Sequence, residues 1–148
     1  MRILNIIYPV LFALVFLLAP TAVKAFDFSF PDPSPADLGQ RVISNQISAF
    51  VEGDSDRAFS YTSRSIRRIF GTPGKFIAMV KKGYLPLYKP SNFRFGKSII
   101  SNGNLYQQVI TTDNKGKMWE ALYALIQQSN GEWKITKVII NPLDGKFI

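Results

Sequence analysis

The spacing of apolar residues changes at Asn92, and that change divides the chain into a helical part and a strand part. Before it, Leu38, Val42, Ile43, Ile47, Phe50 and Val51 recur at steps that make one helical stripe. Ser34 stands as the N-cap, Pro35 at the first helical position and Asp37 at the third, while Gly53 closes the helix. Asp54 caps a second, short helix holding Ala58 and Phe59. Ser63 caps a third, with Ile66, Ile69 and Phe70 on its inner face and Gly71 after it. Thr72-Pro73 opens a fourth that buries Phe76, Met79 and Val80 and ends at Gly83. The segment from Tyr84 to Pro90 contains two prolines and is expected to be extended or turn-like, because proline biases the residue before it away from helix.

From Asn92 the period is two. Phe93, Phe95 and Ile99 alternate with Arg94, Gly96 and Ser98 in a first strand, and Ser101-Asn102-Gly103-Asn104 is a hairpin turn. Leu105 to Thr112 is a second strand, turned by Asp113-Asn114-Lys115-Gly116. Met118 to Gln127 is a third, turned by Ser129-Asn130-Gly131, and Trp133 to Asn141 is a fourth, stopped by Pro142. Four strands joined by short turns make an antiparallel meander. Helices first and a curled meander second form an α+β fold, with the helices closing over the concave side of the sheet in a cone. The third strand is apolar on both faces: Trp119, Ala121, Tyr123 and Leu125 on one, Met118, Leu122, Ala124 and Ile126 on the other. One covered face leaves a surplus, which points to a homodimer through the sheet.

Ahead of this domain, Met1-Arg2 is a short positive start, Ile3 to Ala19 is an apolar run, and Val23-Lys24-Ala25 places small residues at −3 and −1. These are the three parts of a cleaved secretory signal, with the cut after Ala25. Residues 1–25 are thus a signal peptide, 26–36 an extended arm rich in proline and aromatic residues, and 37–148 a single domain, periplasmic or secreted. The chain has no cysteine, so an exported domain of this kind must hold together by packing alone. The formal charge is +8, and removal of Arg2 and Lys24 leaves +6. No Asp or Glu occurs from Arg57 to Thr112, a stretch that carries Arg64, Arg67, Arg68, Lys81 and Lys82 among its cations. Such a basic surface suits an anionic envelope lipid or polymer, and export argues against nucleic acid.

The chain has no histidine either. Imidazole acid–base chemistry, Ser-His and Cys-His nucleophiles and thiolate metal sites all drop out, and no Gly-rich phosphate loop occurs, so neither cofactor nor metal is expected. Most acids fall at caps and turns; Asp54-x-Asp56 lacks the further ligands of a calcium loop. Glu120 differs, standing mid-strand on the face of Met118 and Leu122. Inside a cone it could be a general base, with Tyr84 or Tyr88 donating a hydrogen bond. Tyrosines and tryptophans can also line an apolar pocket with hydroxyl handles. Tyr84, Tyr88, Trp119 and Glu120 are therefore the candidate ligand-binding residues, and no catalytic set is assigned.

Several runs together resemble a family of small exported bacterial proteins classed as a domain of unknown function. They are Gln46-Ile47-x-Ala49-Phe50, Ile69-Phe70-Gly71-Thr72-Pro73, Gly83-Tyr84-x-Pro86-x-Tyr88-x-Pro90, Phe93-x-Phe95-Gly96 and Gly131-x-Trp133-x-Ile135. The resemblance implies a nuclear transport factor 2-like, or cystatin-like, cone and leaves the activity open. The wider fold group includes enzymes similar to ketosteroid isomerase and scytalone dehydratase, whose interior Asp, Tyr or His set has no counterpart here. The expectation is a non-enzymatic binding domain for a small apolar ligand, or for an anionic envelope component; the alternative is a proton-transfer or dehydration enzyme using Glu120.

Overall fold

The computed structural model describes residues 31–143; the expected signal segment, the expected arm up to residue 30 and residues 144–148 lie outside the described residues. The first helix, α1, runs Pro35–Glu52, so Pro35 and Ala36 belong to the helix. Its start is a reciprocal cap: the Ser34 hydroxyl accepts from the Asp37 amide at 3.2 Å, and the Ser34 amide donates to the Asp37 carboxylate at 3.0 Å. Gly53 ends it in the left-handed region, φ 74°, which costs a glycine little. Three shorter helices follow, α2 Ser55–Ser60, α3 Arg64–Phe70 and α4 Pro73–Gly83, each with the expected N-cap: Asp54, Ser63 and Thr72.

The proline-bracketed segment contains a one-turn helix, α5 Leu85–Tyr88, where the sequence suggested extended chain. Pro86 sits in its first turn, where a missing N–H costs nothing, and the Tyr84 carbonyl accepts from the Leu87 and Tyr88 amides at 2.9 and 3.0 Å. Two details of the helix faces also differ. Val51 is exposed at the end of the α1 stripe, and in α4 it is Ile77 that is buried with Phe76 and Val80, while Met79 is half-buried.

The strands β1 Asn92–Ser101, β2 Asn104–Thr112, β3 Met118–Gln127 and β4 Trp133–Pro142 pair antiparallel in the order β1-β2-β3-β4. α1 lies across one face of this sheet. It buries Ile43 and Ile47 against Leu105, Val109, Tyr123 and Leu125. At Gly39 a side chain would run into Leu105, so the helix approaches β2 through a position that only glycine leaves open. A second core forms among the helices, where Phe50, Phe59, Phe76 and Tyr88 stack with ring centroids 5.3–6.2 Å apart.

β1 contains a bulge between Phe95 and Ser98. The extra residue reverses the alternation, so Ile99 is exposed rather than sharing the inner face with Phe93 and Phe95. Gln107, fully buried and paired with Ser98 beside the bulge, donates to the Gly96 carbonyl at 3.1 Å and the Lys97 carbonyl at 3.3 Å while accepting from Gln40 at 3.1 Å.

Candidate functional site

β4 is an edge strand, and two ties hold its free edge to the helical layer. The link between α2 and α3 forms a short parallel bridge to it: Ser63 N–H donates to the Ile135 carbonyl at 2.7 Å, and Ile135 N–H donates to the Tyr61 carbonyl at 2.9 Å. Farther along, the Tyr84 hydroxyl donates to the Val138 carbonyl at 3.2 Å. Between the ties the pairing of β4 with β3 slips, because Leu125 faces Ile135 but Ala124 faces Lys137, leaving Thr136 as the extra residue of a bulge. A cavity of about 380 Å³ opens there, between α3, α4 and this stretch of β4. That volume is at the small end of the ligand-pocket range.

The interior is apolar, formed by Phe50, Phe70, Phe76, Val80 and Leu87, with Phe70 set edge-on to Phe76 at 5.6 Å. No residue of α3 is buried. Ile69, expected on its inner face, is 73 % exposed and still lines the cavity, which places it at the mouth with Met79. Tyr84 and Tyr123 bring two phenols to the wall. Burial pushes the Tyr123 phenol far above its usual pKa, and the neighbouring Tyr84 phenol adds to the effect, so Tyr123 stays neutral at any physiological pH.

Of the four ligand-binding residues expected from sequence, only Tyr84 lines this cavity. Tyr88 is buried in the helical core against Phe50, with the Lys81 ammonium 5.4 Å from its ring centroid. Trp119 is tied to the β2–β3 turn, its indole N–H donating to Asp113 at 3.0 Å and Lys117 lying 4.8 Å over its ring. Glu120 is on the outer face of the sheet, where it accepts from the Gln108 amide and borders a groove with Lys97, Ile99 and Leu122. This placement follows from strand parity, since Ala121, Tyr123 and Leu125 are the residues of β3 turned to the core. Glu120 therefore cannot serve as a base inside the cone, and the enzyme reading built on it falls.

The structure brings to the cavity mainly residues that sequence reasoning took as core or left unassigned, among them Thr62, Thr136, Lys137 and Val138. Only an apolar residue on a cationic helix, Ile69 between Arg68 and Phe70, hinted at the mouth. Arg64, Arg67, Arg68, Lys81 and Lys82 are all exposed on α3 and α4, and none forms an ion pair among the described residues. Asp54 is spent on the α2 cap, accepting from the Arg57 amide at 3.0 Å. No helix among the described residues is long and apolar enough to cross a membrane.

A family model for a domain of unknown function, DUF4864, matches residues 35–147. The chain belongs to that family. The match covers every helix and strand described above. No curated protein matches the sequence. Among solved structures, the chain is similar to an NTF-2-like protein of unknown function from Silicibacter pomeroyi, at 12% identity over 71% of this chain and 92% of that one, TM-score 0.49. It is also similar to an NTF2-like protein of unknown function from Shewanella baltica, at 14% identity over 76% of this chain and all of that one, TM-score 0.47. The helices-then-meander architecture is the α+β cone expected from the sequence.

The Trp119 indole holds the Asp113 carboxyl below the ordinary carboxylate range, helped by the Lys117 and Lys115 amides. A folded pKa below the unfolded one means that this tie stabilises the turn above the unfolded value and is lost as pH falls through the folded one. An acid titration followed by tryptophan fluorescence should show a step below the ordinary Asp range. Asp113→Asn should remove the step; its persistence in that variant would contradict the assignment.

Proposed function

We propose that this is an exported, non-enzymatic binding domain that holds a small apolar ligand between α3, α4 and the bulged stretch of β4. The cavity itself carries the reading. It is walled by aromatic and aliphatic side chains, with few polar handles: two phenols, two threonines and Gln46. Among the described residues no carboxylate lines it, and the chain has neither histidine nor cysteine. Its residues thus suit enclosure more than proton transfer. Export rests on the positive start, apolar run and small residues before Phe26. Titration with a neutral apolar fluorophore, N-phenyl-1-naphthylamine, should show saturable binding. Met79→Trp, which fills the mouth, should weaken it about tenfold or more, the equivalent of roughly 1.4 kcal/mol of lost binding, with the urea midpoint of unfolding little changed. Equal binding by the variant, or none by the parent, would sink the reading.

The outer face of the sheet supports a second proposal, that two copies pair across it. Ile99, Met118, Leu122, Ile126 and Ile139 are all exposed there. The groove among them holds one acid, Glu120, and one base, Lys97. A two-fold axis would offer each charge its complement, as an isologous interface requires. Sedimentation equilibrium of the mature protein should give a dimer that Leu122→Lys converts to monomer. A parent that stays monomeric at high concentration contradicts this.

A further inference from the structure

Three polar side chains of the cavity wall are more than nine-tenths buried: Gln46, Thr62 and Tyr123. Two of them commit a donor to the backbone. Gln46 donates to the Ala58 carbonyl at 3.2 Å, and Thr62 to the Phe59 carbonyl at 2.6 Å. The half-buried Tyr84 is committed likewise, to the Val138 carbonyl at 3.2 Å. Tyr123 differs. It is 1 % exposed, yet among the described residues its hydroxyl has no hydrogen-bond partner. The polar side-chain atoms sealed in protein without a partner are Arg57 Nε and Trp133 Nε1, and the Tyr123 oxygen is not one of them. It therefore opens on the cavity that the tyrosine lines. Burial keeps the phenol protonated, so the donor is permanent. A hydrocarbon seated against Phe50, Phe70 and Phe76 would strip water from this hydroxyl and return nothing. A neutral oxygen on the ligand would accept the bond and leave the apolar body among the rings. An ionised group would accept it too, at a far larger desolvation cost in so apolar an interior.

From this we infer that Tyr123 sets the specificity of the cavity, and that the ligand is a neutral apolar molecule whose one accepting oxygen takes a hydrogen bond from the Tyr123 hydroxyl. The inference rests on the binding reading above and adds the chemical class of the ligand. Such an oxygen belongs to a ketone or to an alcohol, and the two differ in whether it also carries a proton. The apolar body contributes through the aromatic wall and the oxygen through Tyr123, so the two contributions separate experimentally.

The test is displacement of N-phenyl-1-naphthylamine by three probes of one skeleton: 2-acetylnaphthalene, 1-(2-naphthyl)ethanol and 2-ethylnaphthalene. It is run in the parent, in Tyr123→Phe and in Tyr84→Phe. Tyr123→Phe should weaken an oxygenated probe about fivefold, the scale of one hydrogen bond, and leave 2-ethylnaphthalene unchanged. Its urea midpoint of unfolding should not fall, because the hydroxyl it removes holds no protein partner. A loss confined to the ketone assigns a carbonyl, a loss confined to the alcohol assigns a hydroxyl, and a loss of both assigns an accepting oxygen of either kind. Tyr84→Phe cuts the tie to Val138, so it should lower the midpoint and weaken all three probes together. If Tyr123→Phe shows that same pattern, or weakens none of the probes, or if no probe displaces the bound fluorophore, the assignment to Tyr123 is overturned and the apolar cavity stands. If the fluorophore itself does not bind the parent, both fall.

Discussion

The pinning of the β4 edge to the helical layer is the interaction on which the rest of this structure depends. An edge strand presents unpaired amides and carbonyls, and here they are consumed at two places: by the Tyr61–Ser63 segment at Ile135 and by the Tyr84 hydroxyl at Val138. The ties fix where α3 and α5 leave the sheet. Because β4 bulges between them at Thr136, the strand and helices part over that short stretch and meet again on either side. The cavity follows from two fixed ends and one extra residue. Its aromatic interior is the same Phe50–Phe76–Phe70 cluster that packs the helices together, so core and cavity wall share their residues.

Much of the fold was legible in the sequence, because each local signal there agrees with the global arrangement. The N-caps of α1 to α4 are side chains that satisfy otherwise unpaired amides, and the turns around Gly103, Gly116 and Gly131 use positive φ. The failures are equally physical. The bulge at Gly96-Lys97 reversed the facing of Ile99, and alternation alone cannot announce an extra residue. The helix at Leu85 was hidden by Pro86, whose effect on its neighbour depends on whether a helix starts or continues there. The candidate site was the least legible part. Tyr84 was found because a tyrosine can give an apolar pocket a hydroxyl handle, a reasoning that Tyr88 in the same segment did not meet. The stretch of β4 at Thr136 was not, because its role comes from a strand edge and a register slip between distant segments.

Charge and apolar surface are divided between the two faces of the molecule. The helical side carries cations around an apolar mouth, while the sheet's outer face carries exposed aliphatic side chains around a single hydrogen-bonded acid, Glu120. A carboxylate with a side-chain partner on an open sheet face suits a surface that meets another surface. The buried, neutral Tyr123 phenol and the aromatic walls suit a cavity that receives an apolar body. With no cysteine to staple it, the domain keeps both surfaces in place by packing alone.

The most direct test of this account is native mass spectrometry of the protein purified from its own cells. The account predicts a defined small-molecule adduct on the folded chain, lost when Met79→Trp fills the mouth and retained in Leu122→Lys, whose substitution is on the opposite face. A spectrum of bare protein, or an adduct that survives Met79→Trp unchanged, would contradict the claim that the β4 bulge builds a binding site.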